Sequence, residues 1–153
     1  MSAGGIAEAL VDLLRTIDGV ENVEQEEPEG TDEPTGPSAR TTDAVVTFWR
    51  VAVWPTQGEE GAGYVEPRYR IRVRGFYGIA REAPDEGVAS DVVFRELAAL
   101  VFQTLQDPVN RNPADCVETS VPEIAPRAMR RVPVGAKRVA CHVAEITYTA
   151  QEE

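Results

Sequence analysis

Apolar residues recur every three to four positions near the start of the chain. They are Ile6, Ala9, Leu10, Leu13, Leu14 and Ile17. This spacing places them on one side of a helix, so we predict a helix over residues 4–18. Gly19 is expected to cap its end, because glycine readily adopts the left-handed conformation that terminates many helices. A short strand from Val20 to Val23 is expected to follow.

A second amphipathic segment lies past the middle of the chain. Its core-facing stripe consists of Phe94, Leu97, Ala98, Val101 and Leu105. Ser90 or Asp91 is expected to cap the start of this helix, because their side chains accept hydrogen bonds from free N–H groups. The pair Asp107-Pro108 is expected to end it.

Three segments have the alternation and composition of β-strands. They are AVVTFWRVAVWP (44–55), RYRIRVRGFYG (68–78) and RVACHVAEITYTA (138–150). The first two are joined by a glycine-rich connection and are predicted to pair as an antiparallel hairpin. Residues 107–137 contain five prolines, so only short extended pieces such as CVETSV are expected there.

These elements predict an α+β fold with a small, mostly antiparallel sheet and two helices packed on one face. In the first strand the odd positions, including Trp49 and Val51, are expected to point into the core. Residues 24–43 are rich in acid, proline and glycine and lack apolar periodicity, so we expect a mobile acidic loop. The 153 residues are interpreted as a single domain, 1–153.

The formal charge is −11, and nearly all of the excess acid lies near the N-terminus, where residues 1–33 hold ten acidic residues and one basic residue. The longest apolar-rich run, 97–106, is about half of the roughly 20 residues that a membrane helix needs. Glu8 and Asp12 interrupt the apolar N-terminal stretch, which has no basic segment, so we expect no secretion signal. No membrane association is predicted.

Residue types that support catalysis are scarce. His142 is the only histidine, and the adjacent Cys141 should point to the opposite face of its strand, which is the wrong geometry for a catalytic dyad. Cys141 is expected to be buried, and it and Cys116 are expected to be free thiols. Familiar zinc, calcium and phosphate-binding spacings are absent from the sequence. We therefore expect no enzyme, no metal and no cofactor.

The strand at 68–78 has an arginine at every second position, namely Arg68, Arg70, Arg72 and Arg74. Side chains alternate across a strand, so these four share one face. Three interpretations are open: a solvated face that prevents association between sheet edges, a nucleic-acid surface with Phe76 and Tyr77 as stacking platforms, or a protein interface. The net negative charge disfavours nucleic acid.

The interface hypothesis pairs these arginines with acidic residues of segment 21–33, in the same chain or a neighbour. An exposed ion pair contributes only about 0–1 kcal/mol, so apolar side chains would have to hold the assembly together. The residues assigned to the interface are Arg68, Arg70, Arg72, Arg74, Phe76, Tyr77, Trp54, Glu24, Glu26, Glu27 and Glu29.

The order of these elements resembles the tail terminator family of tailed bacteriophages. The stretches that carry the resemblance are IAEALVDLLRTIDGV (6–20), VVTFWRVAVWP (45–55), RYRIRVRGFYG (68–78), DVVFRELAALVFQTL (91–105) and RVACHVAEITYTA (138–150). They cover most of the chain, and the likeness is one of pattern and order rather than of a single motif.

The resemblance implies a structural virion protein without catalytic residues. Members form a hexameric ring on the head-proximal end of the tail tube, stop tube polymerisation and present a surface to the head–tail connector. The implied partners are further copies of the chain, the tail tube protein and the connector, with DNA only as passing cargo. The implied location is the virion, after a period in the host cytoplasm.

Two alternatives stay open. The first is a head–tail connector or stopper subunit. The second, from a different class, is a small-molecule-binding domain or enzyme, which should have a pocket near His142 with converging carboxylates.

Overall fold

The computed structural model describes residues 3–26, 45–56, 68–79, 86–107, 118–119, 122–134 and 137–151. The helices are α1 (Ala3–Arg15) and α2 (Glu86–Gln106). The strands are β1 (Val23–Gln25), β2 (Val45–Thr56), β3 (Arg68–Ile79), β4 (Glu118–Thr119), β5 (Glu123–Val134) and β6 (Lys137–Gln151). Within these ranges, neither helix is long and apolar enough to cross a membrane.

The six strands form one sheet. β1, β2, β3 and β6 are neighbours in that order, and β5 and β4 both pair with the remaining edge of β6. The pairing of β1 with β2 is parallel and the other pairings are antiparallel. The predicted α+β class, the mostly antiparallel sheet and the β2–β3 hairpin are therefore confirmed.

The first helix forms where its apolar stripe predicts, but it ends at Arg15, before the predicted end. The Thr16 hydroxyl donates a hydrogen bond of 2.6 Å to the Leu13 carbonyl, which ties down the last turn. Gly19 has a φ of +87°, the left-handed conformation expected of it, but it lies four residues beyond the end of α1, so the prediction that it caps the helix is wrong. The turn brings the chain into β1, which begins at Val23 instead of Val20.

The second helix is longer than predicted. It begins at Glu86, so Ser90 and Asp91 lie inside the helix and the prediction that one of them caps it is wrong. No proline interrupts the sequence from Glu86 to Gln106. Serine and aspartate are tolerated inside helices at a modest cost, so their presence does not fix a helix start.

The prediction that residues 107–137 hold only short extended pieces is wrong, because β5 is a 12-residue strand. It contains Pro126 and Pro133, which pair with Ala144 and Arg138 of β6. Proline cannot donate a ladder hydrogen bond, but a strand paired on one side tolerates it. A register shift between Arg127 and Arg130 adds a bulge to this strand.

Both helices and alternate strand positions contribute to one large buried cluster. Trp49 lies in it with no exposed surface, and the predicted inward positions Val51 and Val53 are buried there too. Gly75 pairs with Trp49 across the sheet. A Cβ atom at Gly75 would lie 2.5 Å from the indole ring, so the ring occupies the space that a side chain would need. We call this sheet surface the Trp49 face.

The opposite surface carries the arginines and is called the arginine face. One end of it holds a second buried cluster, formed by Phe48, Phe76, Val132, Val139, Cys141 and Val143. The Phe48 and Phe76 rings stack with centroids 4.6 Å apart, and neither is exposed. Buried apolar side chains therefore lie on both faces of the sheet.

Candidate protein-interaction site

The arginine row of β3 continues across the sheet. In the strand register, Arg74 lies opposite Arg50 of β2 and opposite Glu145 of β6. Arg72 lies opposite Ala52 of β2 and Thr147 of β6. As the sequence predicts, alternation along β3 places the side chains of Arg72 and Arg74 on one surface of the sheet. Arg50 thus adds a cation from a second strand to the row.

Two of the predicted interface arginines bind a carboxylate of their own chain. Arg74 donates from Nε to Glu26 Oε1 at 3.0 Å and from Nη2 to Oε2 at 2.5 Å. Arg72 Nη2 donates to the same Oε1 at 3.1 Å. The side chains of Arg74, Arg72 and Glu26 are 7%, 18% and 11% exposed. The same-chain alternative of the charge-pairing hypothesis therefore holds for Glu26.

The backbone holds Glu26 in position to make these bonds. Its N–H donates to the Val51 carbonyl at 2.9 Å, which continues the pairing of β1 with β2 beyond Gln25. Residues 24–26 are therefore strand and anchored chain, so the mobile-loop prediction is wrong for them. Residues 27–43, with Glu27 and Glu29, lie outside the described residues.

Arg50 is the most enclosed cation of the row, and it is not among the residues assigned to the interface from the sequence. Its Nη1 donates to the Asn22 carbonyl at 2.8 Å and to the carbonyl of the preceding residue, Trp49, at 2.9 Å. Burial lowers the pKa of Arg50, while Glu24 and Glu26 oppose that effect and Arg74 adds to it. Asn22 has a φ of +55°, and its amide donates to the Thr47 carbonyl at 2.9 Å. The sequence feature that could have indicated this turn is Asn22 itself, because asparagine is enriched at positive φ.

The aromatic residues assigned to the interface separate into different environments. Phe76 is fully buried beneath Arg74, whose guanidinium carbon lies 5.6 Å from the ring centroid. Tyr77 lies on the Trp49 face, 6.0 Å from the ring of Phe94. The expectation that Phe76 offers contact surface beside the arginines is therefore wrong for this chain, and Tyr77 points away from them. Trp54 is half-buried, and Arg72 lies 5.5 Å from its ring.

An open depression remains on the arginine face. It has a volume of about 590 Å³ and is lined by Trp54, Arg70, Arg72, Glu123, Glu145, Thr147, Tyr148 and Thr149. Arg70 is exposed and has no ion-pair partner among the described residues. Arg68, at the start of β3, is also exposed. These two arginines, the half-buried Trp54 and the exposed Glu24 are the predicted interface residues that face solvent among those described.

His142 and Cys141 lie on opposite sides of β6, as predicted. His142 lies 6.3 Å from the Phe94 ring on the Trp49 face, while Cys141 is buried in the Phe48 cluster. Burial raises the pKa of the Cys141 thiol to about 12, so it stays protonated at neutral pH. The predicted separation of the two side chains is confirmed, and Cys116 lies outside the described residues.

His142 borders a groove between α2 and the β5–β6 hairpin, with a volume of about 610 Å³. Its walls are Phe94, Arg95, Ala98, Ala99, Phe102, Ile124, Pro126, Arg127, His142, Val143 and Ala144. No carboxylate lines the groove among the residues described, and these residues contain no cluster of metal-ligating side chains. The groove is therefore mainly apolar, and the Arg127 side chain is directed to the opposite face of the sheet, where it bonds Glu145.

No protein-family model matches the chain, and no curated protein matches its sequence.

Proposed function

We propose that this chain is a structural virion protein that caps the head-proximal end of a phage tail tube. It ends tube polymerisation and provides the surface for joining to the head connector. The observation that carries the proposal is the order of elements, in which α1, a short strand, a hairpin and α2 precede the final strand of a mostly antiparallel sheet. This is the order on which the resemblance to tail terminators rests.

The proposal includes two helices packed on one sheet face. In support, side chains of α1 and α2 join residues of the Trp49 face in one buried cluster. α1 contacts β1 and β2, and α2 contacts β3 and β6. This arrangement leaves the depression at Arg70 and Trp54 uncovered by either helix.

We assign that depression to contact with the tail tube protein. Arg70 supplies an exposed charge, and the half-buried Trp54 supplies apolar area next to it. An aromatic ring beside an arginine is the composition that dominates binding energy in many protein interfaces. Arg72 and Arg74 serve instead to hold β1 in place through Glu26.

The gene can be deleted from its phage to test the role. We expect tail tubes of abnormal length and heads without tails, because nothing stops polymerisation. Tubes of normal length that fail to join heads would favour the connector alternative. Normal virions would reject both roles.

A further inference from the structure

Two exposed charges of opposite sign lie on either side of the depression on the arginine face. They are Arg70 of β3 and Glu123 of β5, and neither has an ion-pair partner among the residues that the structure describes. Strand β6 lies between them and pairs with both β3 and β5. Neighbouring strands are about 4.8 Å apart, so the two side chains leave the sheet about 10 Å from each other.

The surrounding charges have the same polarity. On the β3 side, Arg72 and Arg74 share the single carboxylate of Glu26, so cations are in excess there. On the β5 side, the bond of 3.2 Å between Arg127 and Glu145 makes a neutral pair, so the second carboxylate of that side determines its charge. The depression is therefore cationic towards β3 and anionic towards β5.

We propose that this depression binds the same depression of a second copy of the chain, related to the first by a two-fold axis. An axis parallel to the strands and above β6 turns the second sheet over, and it places β5 of each copy above β3 of the other. Arg70 of each copy then faces Glu123 of the other, so one symmetric contact makes two ion pairs. A partner of uniform charge would match one side of the depression and oppose the other, whereas a second copy carries both charges in the required order.

The middle strand allows the two sheets to approach. Its residues on this face of the depression are Thr147 and Thr149, whose hydroxyls are short and both donate and accept hydrogen bonds. The half-buried Trp54, opposite Arg70 on β2, supplies apolar area at the rim. Sheets that pack face to face lie about 10 Å apart, a gap that arginine and glutamate side chains can span from opposite sides.

The contact also bears on the proposed function, because we assign the same depression to the tube protein. Two copies that cover each other's depressions cannot bind a tube, so the two-fold pair keeps the free chain from tubes until the tube protein displaces one copy. This regulatory consequence rests on the proposed role. The contact between copies does not.

Charge reversal tests the contact through its symmetry. In Arg70→Glu alone, acidic residues face each other at both ion-pair positions, and in Glu123→Arg alone, basic residues do. We expect each variant to dimerise at least about tenfold more weakly than the native chain in analytical sedimentation, because two attractive pairs become repulsive. An equimolar mixture of the two variants should form a mixed dimer of near-native affinity, since every position then faces an opposite charge. A chain that carries both changes should likewise dimerise on its own.

Arg131→Glu and Glu96→Arg are the matched controls, because both residues are exposed and neither lines the depression. They should dimerise like the native chain, and circular dichroism verifies that every variant is folded. The proposal is overturned if the native chain stays monomeric at its highest soluble concentration, or if both single variants dimerise as it does. A mixture or a double variant that fails to recover would also overturn it.

Co-sedimentation with tail tubes tests the tube-capping role separately. The double variant separates the two contacts, because it restores the match between copies but not the charges that an unchanged tube protein meets. Native dimers that respond to charge as expected, from a chain that never binds tubes, would refute the capping role and leave the contact between copies standing. Tube binding by a chain that never dimerises would do the reverse.

Discussion

Glu26→Gln removes the carboxylate that neutralises Arg72 and Arg74 while keeping the shape of the side chain. Three charge-assisted hydrogen bonds end on Glu26, at 3.0, 2.5 and 3.1 Å. The amide keeps one acceptor oxygen but turns an NH₂ group towards donors of the two guanidiniums. The variant therefore removes the carboxylate that both cations share in a largely enclosed site.

Breaking a buried ion pair costs about 3–5 kcal/mol. The three side chains keep between 7% and 18% of their surface exposed, and the glutamine oxygen retains some bonding. We therefore expect a loss of about 2–3 kcal/mol in the free energy of unfolding. Native domains are stable by about 5–15 kcal/mol, so this change is readily measured.

Glu24→Gln is the matched control. It makes the same chemical change two residues earlier, but Glu24 is 69% exposed and its oxygen lies 3.7 Å from Arg50 Nη2. An exposed pair of this kind contributes little, so we expect a change within about 0.5 kcal/mol.

Urea unfolding followed by tryptophan fluorescence and circular dichroism gives both values from the shift in midpoint. The difference between the variants should persist in added salt, because enclosed pairs are screened less than exposed ones. Arg74→Gln combined with Glu26→Gln should cost less than the sum of the single changes. If Glu26→Gln is no more destabilising than Glu24→Gln, then the ion pairs do not anchor β1 and the reasoning is refuted.

Three further predictions concern Gly75, Cys141 and Arg70. Gly75→Ala should destabilise the protein by about 1–3 kcal/mol, because a Cβ atom would overlap the indole of Trp49. Trp49→Phe in the same chain should relieve part of that loss in urea unfolding, whereas strict additivity would contradict the overlap. The free energy of unfolding should fall as pH rises from 9 towards 12, by up to about 1.4 kcal/mol per unit from Cys141, because burial raises the pKa of this thiol from 9.0 to about 12 and the unfolded thiol ionises first. A Cys141→Ala variant should show a shallower decline in the same titration, and an equal slope would refute the assignment. Arg70→Glu should change stability by no more than about 0.5 kcal/mol, since the residue is exposed, yet should weaken co-sedimentation with tail tubes. Undiminished binding would show that the depression does not contact the tube. Glu96→Arg serves as the surface-charge control.

The sequence predicts the elements with strong periodicity. The apolar stripe of α1, the alternation in β2 and β3 and the order of the elements all appear in the structure, because each depends on neighbours in the chain. β5 was missed because proline suppresses the local signal for a strand, whereas its pairing with β6 depends on a distant segment. The start of α2 was misplaced because capping residues also occur inside helices.

The candidate site shows the same division. Alternation places the arginines on one face, but it does not say which carboxylate reaches them. The bonds that Arg72 and Arg74 donate to Glu26 follow from the parallel pairing of β1 with β2, which joins segments about 25 residues apart. Burial of Phe76 likewise depends on its stacking with Phe48 on the neighbouring strand. The groove beside α2 is formed by residues of α2, β5 and β6, so no local sequence pattern predicts it.

If the proposed role holds, the same genome also encodes a tail tube protein, and the most direct test combines that protein with the purified chain. Tube length is followed by electron microscopy as polymerisation proceeds, with the chain added after growth has begun. The account predicts that growth stops and that density for a ring appears at one end of each tube. Tubes that continue to lengthen with bare ends, while the added chain remains folded in solution, would contradict it.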